Sequence, residues 1–264
     1  MALNLGLASP TFSEFGILPG DLNLSHLLDR QWLETKARTI YDCNPNLVCE
    51  IATPEDNYIV KWFGWRSSFH YHISPLIRSR AQVSWEMADH ILQAGGSTPQ
   101  PIYTCTRREK GFIRENIFIT AKVNGSQSLR DWLKSAPGDD ALNHVLADLA
   151  RNLAALHSHR IFHCDLTAGN ILIDERGKTY LIDLNRGERK RCTTVRCLAD
   201  LAKIYFGDPA RDTTGQIIRL FFREYAGRMS EPIDWEARYR MARQELEQRR
   251  LRKKQIRRLL SHRK

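Results

Sequence analysis

Asp165 and Asn170 stand five residues apart in "IFHCDLTAGNILID" (residues 161–174), and Asp183 follows within "LIDLN". Two carboxylates and a side-chain amide are hard oxygen donors. A loop, strand, turn, strand path brings its two ends back to one edge, so the three side chains are expected to converge. Such a set suits a divalent cation, because Mg2+ takes a few protein oxygens together with phosphate oxygens and water. It also suits phosphoryl transfer, in which one carboxylate orients an attacking hydroxyl and accepts its proton while the metal neutralises phosphate charge. Upstream, Lys61 ends the apolar run "NYIVK" and Glu86 lies on the helix that follows. A lysine held by a helix glutamate can be aimed at the phosphates of a nucleotide.

These residues need elements to carry them. Residues 1–35 read as an irregular lead-in, broken by Pro10, Gly16, Pro19 and Gly20. Three runs, "KARTIY", "NLVCEIA" and "NYIVKWF", are separated by "DCNPN" and "TPED", the pattern of an antiparallel meander. Ala81, Trp85, Ala88 and Leu92 share one helical face, which Gly95 and Gly96 stop. "NIFITAKV" is a further strand. The second half is helical. Leu142, Val145, Leu146, Leu149, Leu153 and Leu156 form a stripe behind the capping candidates Asp139 and Asp140, and that helix delivers the chain into "HCDLTAGN". The brief strands "ILID" and "TYLID" are joined by the turn "ERGK"; residues 196–206, 213–226 and the tail from about 235 read as helices. In the tail, Trp235, Tyr239, Ala242 and Leu246 share a face. No internal repeat is present.

At 264 residues and 42% hydrophobic content the chain can build two lobes, an α+β arrangement with a strand-rich lobe over 1–123 and a helical lobe over 124–264. No run approaches the roughly 20 apolar residues of a membrane-spanning helix, and the N-terminus lacks the pattern of a secretory signal, so a cytoplasmic location is expected. Six cysteines without a CxxC pair read as free thiols, and the pairs His70/His72 and His157/His159 read as ordinary surface or helix-end histidines rather than metal ligands. The net charge of +10 is concentrated in residues 236–264, which hold twelve Lys/Arg and three Glu, a net of +9. A nearly neutral body with a basic tail implies docking on a polyanion, for which an anionic membrane surface, lipopolysaccharide phosphates and nucleic acid all qualify; a simply solvated helix has the same composition.

The order strand lysine, helix glutamate, Asp-x4-Asn and later Asp is that of the protein-kinase signature set. "HCDLTAGNIL" followed by "LIDLN" resembles the catalytic and metal-binding loops of the protein-kinase-like superfamily. Within it, "SRAQVSWEMADHILQAGGSTPQPI" and "LIDLNRG" most resemble the bacterial lipopolysaccharide core kinases, which phosphorylate Kdo or heptose sugars. The likeness covers about residues 37–205 and implies a bilobal kinase-like fold, with ATP and Mg2+ as cofactors. By the same resemblance Asp165 would position the acceptor hydroxyl, Asn170 and Asp183 would hold Mg2+, Lys61 would contact ATP phosphates and Glu86 would pair with Lys61. His163 would brace the loop, and the backbone of Ala121, Lys122 and Val123 would meet the adenine. The implied acceptor is a lipopolysaccharide core glycolipid at the inner face of the inner membrane, with residues 236–264 on the anionic surface and nucleic acid a lesser partner.

Three departures refine this. No glycine-rich turn precedes Lys61, where "DCNPN" stands instead. Cys164 replaces the arginine usual between His and Asp, which removes the partner of a phosphorylated activation loop. "DLN" stands for Asp-Phe-Gly with no Ala-Pro-Glu after it, so a small or lipid-linked acceptor fits better than a protein. Arg186, Arg189, Lys190, Arg191 and Arg196 form a basic loop suited to an acidic acceptor, or to plain solvation. Asp200 either accepts backbone hydrogen bonds from the catalytic loop or lies on a wet helix face. The rival readings are a soluble aminoglycoside- or choline-type phosphotransferase, a protein kinase and a catalytically dead nucleotide-binding module.

Overall fold

A computed structural model describes residues 9–65, 67–206 and 215–261. Residues 1–8 of the expected lead-in, 213 and 214 of an expected helix and 262–264 of the tail lie outside the described residues, as do the side chains of Cys43, Leu259 and Leu260. Two compact units divide the chain. The first holds the residues up to His90, Pro99–Asn124 and Leu184–Arg186, and the second holds Ile91–Thr98, Gly125–Asp183 and the residues from Gly187 onward.

The first unit is built on six strands: β1 (Thr11–Gly16), β2 (Arg38–Cys43), β3 (Asn46–Ala52), β4 (Asn57–Trp62), β5 (Pro101–Glu109) and β6 (Phe112–Ala121). They form one sheet in the order β1-β5-β6-β4-β3-β2, every neighbouring pair antiparallel. Alternate residues face one side of a strand. Leu47 and Cys49 of β3, Tyr58 and Val60 of β4, Tyr103 and Cys105 of β5, and Ile117 and Ile119 of β6 therefore make one buried layer. Leu27 and Leu33 close it, carried by α1 (Leu24–Leu28) and α2 (Arg30–Lys36).

That lid corrects the expectation of an irregular lead-in. Asn23 caps α1 through a bond from the Ser25 amide, and Asp29 ends α1 while capping α2 through the amides of Gln31 and Trp32. The two caps were the legible helix signals, and the surrounding Pro and Gly residues obscured them. Strand β5 also went unread. Tyr103, Thr104, Cys105 and Thr106 are buried in succession, so the run shows no apolar alternation, and its threonines find partners: Thr104 donates to the Ile117 carbonyl and Thr106 meets Ser79.

After β4 come α3 (Ser68–His72), a 3-10 turn at Ser74–Leu76 and α4 (Arg80–Gln93). The buried face of α4 is Ala81, Ser84, Met87, Ala88 and Ile91, rotated by about one residue from the expected stripe. Ser84 can be buried because its hydroxyl donates to the Arg80 carbonyl.

The second unit contains β7 (Gln127–Ser128), α5 (Leu129–Lys134), α6 (Asp139–Ser158), β8 (Ile161–Phe162), β9 (Ile171–Ile173), β10 (Thr179–Leu181), β11 (Glu188–Arg189), α7 (Thr194–Leu201), α8 (Gln216–Ala226) and α9 (Trp235–Ser261). All six residues of the predicted α6 stripe are buried, each worth roughly 1.5–3 kcal/mol of transfer free energy. Gly138 occupies the cap position, and Asp139 and Asp140 sit in the first turn, where their charge complements the helix dipole. Asn152, on the same helix, accepts from the Ser97 amide and donates to the carbonyls of Ser97 and Thr179. Gly96 allows that approach, since a Cβ there would lie 2.9 Å from the Asn152 amide oxygen.

On α9, Trp235 and Tyr239 are buried against Tyr225 and Phe222 of α8, with ring centroids 5.2 and 5.0 Å apart. Ala242 and Leu246 are half-buried, and from Glu247 to Ile256 the helix is exposed. Five cysteines, Cys49, Cys105, Cys164, Cys192 and Cys197, are free thiols. None of the described helices is long and apolar enough to cross a membrane.

Candidate functional site

Helix α6 ends where Arg160 takes a left-handed φ of 64°, and β8 leads from there to His163, Cys164 and Asp165. Cys164 is also left-handed, at φ 61°, a conformation that costs a non-glycine residue about 1 kcal/mol or more. Both its backbone amide and its backbone carbonyl are held. Asp200 of α7, 3% exposed, accepts the His163 amide at 2.7 Å on one carboxylate oxygen and the Cys164 amide at 2.8 Å on the other. The Lys203 ammonium donates to the Cys164 carbonyl and stands 3.7 Å from the Asp200 carboxylate. Of the two roles open to Asp200 from the sequence, the structure has the first.

Burial pushes the Asp200 carboxyl up, yet His157, 3.6 Å away, together with His163 and Lys203, holds it below the usual carboxylate range. The Tyr225 hydroxyl fixes the other side of the His157 ring at 2.7 Å. Burial also pushes the His163 imidazole down and keeps it neutral. Its Nδ1 accepts the Asp165 amide at 3.2 Å, which assigns the proton to Nε2, and Nε2 donates to the Ile182 carbonyl at 2.8 Å. Cys164 has its thiol pushed up to about 11, by burial first and then by Asp200 and Glu188.

From Asp165 the loop closes on itself. Its carbonyl accepts both the Thr167 amide, at 2.9 Å, and the Asn170 side-chain amide, at 2.8 Å. With its NH2 group so committed, the Asn170 side chain has its amide oxygen as its remaining polar atom, an acceptor. β9 and β10 then return the chain through a turn in which Gly177, at φ 77°, donates to the Asp174 carbonyl. The Ile182 amide donates to the Asn170 carbonyl at 3.0 Å, so Asp183, left-handed at φ 63°, emerges beside Asn170. Asp165, Asn170 and Asp183 are thus drawn together through backbone bonds of a single unit.

Lys61 belongs to the other unit. It lies opposite Phe118, which lies opposite Thr104, and residues paired in this way share a face. That face is the one α4 covers, through the contact of Thr106 with Ser79. The lysine ammonium stands 5.2 Å from the centre of the Phe63 ring. Glu86, expected to hold Lys61, is ion-paired with Arg78 instead. Arg78 precedes α4 by two residues, and its long side chain reaches the exposed edge of the helix where Glu86 lies.

The Ala121 and Lys122 amides donate to the carbonyls of Gln100 and Asn57, both at 2.9 Å, so at these two residues the N–H groups are committed within the sheet unit; Val123 follows directly. The Lys122 ammonium is paired with Glu50 at 2.6 Å. Where a glycine-rich turn is absent, the β2–β3 turn is anchored by Arg30, which donates to the Pro45 carbonyl at 2.7 Å and to Asp42 at 2.9 Å. In the basic loop, Arg186 ends a 3-10 turn, Arg189 pairs with Ile161 across β11 and β8, and the Lys190 ammonium is paired with Glu188 at 2.5 Å. Tyr225 and Arg30 carry no signal of their own in the sequence, and His157, expected as a surface or helix-end histidine, is instead fully buried beside the Asp200 carboxylate. Lys203 left only a trace in the sequence, in its spacing of three from Asp200 along "ADLAK".

The lipopolysaccharide kinase (Kdo/WaaP) family matches residues 65–225. A 3-deoxy-D-manno-octulosonic acid kinase of Vibrio cholerae is 25% identical over 124 residues, 47% of this chain and 51% of that protein. Its namesake in Photobacterium profundum is 30% identical over 96 residues, 36% of this chain and 39% of that one. The chain thus spans about half or less of the length of these curated relatives. Among solved structures, WaaP in complex with acyl carrier protein superimposes with a TM-score of 0.61 at 16% identity, over 83% of this chain and 91% of that one. This likeness shows a shared fold.

Proposed function

The chain belongs to the lipopolysaccharide kinase (Kdo/WaaP) family, and from that premise we propose that it transfers the γ-phosphoryl group of ATP to a sugar hydroxyl of the lipopolysaccharide inner core. The observation that carries the proposal is the bonded loop from His163 to Asp183, clamped through Asp200 and Lys203. The names of the curated relatives favour Kdo over heptose as the acceptor.

In this reading Asp165 receives the proton of the acceptor hydroxyl and orients its oxygen for in-line attack. The clamp on Cys164 keeps that carboxylate from swinging, which matters because misplacement by about 1 Å costs on the order of a hundredfold in rate. Lys61 meets the ATP phosphates. An amide oxygen of Asn170 and the carboxylate of Asp183 fit a hard cation, and these two residues would hold Mg2+; when bound it offsets phosphate charge. Arg186, Arg189 and Lys190 attract the acidic acceptor, Lys190 from within its ion pair with Glu188. The exposed, basic second half of α9 rests on the anionic inner face of the inner membrane, each basic residue contributing on the order of 1 kcal/mol.

The ion pair of Glu86 with Arg78 favours a second reading, a module that binds nucleotide without turnover. Labelled ATP, Mg2+ and a panel of Kdo-lipid A precursor, heptosylated core and an aminoglycoside separate the two. Label on a core glycolipid that vanishes in Asp165→Ala supports the kinase. Thermal stabilisation by nucleotide with no transfer to any acceptor supports the module.

A further inference from the structure

The first unit carries a surface knob made of α3, the Ser74–Leu76 turn and the β5–β6 turn at Lys110 and Gly111, where a Cβ on Gly111 would lie 3.8 Å from Pro75. On it Phe69 is 68%, Leu76 87% and Ile77 39% exposed. Single exposed apolar residues are ordinary; three on one knob call for a physical reason.

The knob is braced so that these side chains stay outside. Ser74 is fully buried, and its hydroxyl accepts the Ile113 amide at 3.0 Å. Arg108 donates to three carbonyls that stitch the knob together: Ser74 at 2.9 Å, Ile77 at 2.9 Å and Gly111 at 3.0 Å. Beneath lies an aromatic base, with Tyr71 stacked on Phe112 at 5.4 Å and the Arg114 guanidinium 5.6 Å over the Tyr71 ring. A loop free to collapse would bury Leu76, whereas this scaffold holds it in the solvent.

The charge around the apolar tip has one sign in excess. Residues 67–80 and 106–115 together hold six Lys/Arg and two Glu, and with Glu86, the ion-pair partner of Arg78, the excess is three positive charges. Arg108 spends its hydrogen bonds on carbonyl oxygens, with no carboxylate ion-paired to it among the described residues, and Lys110 stands exposed beside the tip. Apolar side chains ringed by cations match the boundary of an anionic bilayer, where acyl carbon lies under phosphate.

We infer that this knob seats on an anionic membrane surface and inserts Phe69, Leu76 and Ile77 among the lipid headgroups. The inference builds on the lipid-linked acceptor proposed above, to which the knob gives the first unit its own hold on the membrane. It predicts an attachment that survives salt, unlike that of a basic helix, because inserted carbon is not screened.

The test uses the full chain and vesicles of phosphatidylglycerol and phosphatidylethanolamine, sedimented in about 0.5 M salt to suppress purely electrostatic binding. Phe69→Asp with Leu76→Asp should lower the bound fraction by about tenfold or more, with the thermal unfolding midpoint unchanged. In a separate Leu76→Trp variant, brominated lipid should quench tryptophan emission beyond the wild-type level. Unchanged binding in the double variant, or no added quenching at position 76, overturns the inference. A Leu76→Trp emission shift on adding an acidic carrier protein, without quenching by brominated lipid, also overturns it and makes the knob a protein dock. Label transfer to a detergent-dispersed glycolipid is measured in parallel. Wild type that binds vesicles but transfers no label counts against the kinase reading and leaves the knob standing.

Discussion

Replacing Asp200 with asparagine changes one oxygen to an NH2 group inside the clamp that holds the loop from His163 to Asp183. In the native protein the two carboxylate oxygens accept the amides of His163 and Cys164 at 2.7 and 2.8 Å, at a residue 3% exposed. Asparagine keeps one acceptor and points a donor at the second amide. Losing a hydrogen bond to a charged group costs about 1.5–3 kcal/mol, and leaving a buried N–H unsatisfied adds roughly 1–3 kcal/mol. The charge facing Lys203 at 3.7 Å disappears as well. A destabilisation of about 3–5 kcal/mol follows, a large share of the 5–15 kcal/mol typical of a folded protein. Because Cys164 is left-handed and held there by these bonds, Asp165 should also lose its aim, lowering turnover about a hundredfold with little effect on KM for ATP. Urea unfolding gives the first number and initial rates of label transfer give the second. The pH dependence supplies a further check. Native Asp200 has its acidity strengthened, so its contribution is complete above the unfolded carboxylate pKa of about 3.9 and fades as pH falls through the lower folded value, where wild type and variant should converge. An Asp200→Asn protein within about 0.5 kcal/mol of wild type at neutral pH, well inside the range of harmless surface changes, would refute the clamp.

Three other outcomes are expected. His163 is held neutral by burial, so the unfolded chain takes up a proton that the folded one refuses; stability should fall as pH drops below about 6.5, by up to about 1.4 kcal/mol per pH unit, and titrated thermal unfolding of His163→Gln should lose that slope. Cys164, pushed up to about 11, should react with iodoacetamide at pH 8 about two orders of magnitude more slowly than an ordinary thiol, as peptide mass mapping would read out. Truncation after Glu247 removes the stretch of α9 whose residues from Gln248 to Ile256 are exposed, so the unfolding midpoint should stay within about 1 °C, while the salt-sensitive part of binding to anionic vesicles disappears.

Much of this protein is local and hence readable along the chain. The α6 stripe, the β2-β3-β4 meander and the β9–β10 hairpin follow from periodicity and turn residues, because a helix face or a strand face is set by spacing within a dozen residues. The positions of Asp165, Asn170 and Asp183 are legible for a related reason: a short hairpin joins them, and its geometry leaves few ways to separate its ends.

Long-range partners are another matter. Tyr225 meets His157 across 68 residues, Arg30 reaches Pro45 from a segment that reads as irregular, and Glu86 pairs with Arg78 although its spacing equally suits Lys61. Spacing says which residues share a face, but a charged side chain several bonds long can reach more than one partner, and the backbone path around it settles which. The left-handed Cys164 marks the same divide. Its sequence names a cysteine where related loops carry arginine, and only the folded unit, bringing Asp200 and Lys203 from α7 and its C-terminal end to the amide and the carbonyl of this one residue, holds it in that conformation.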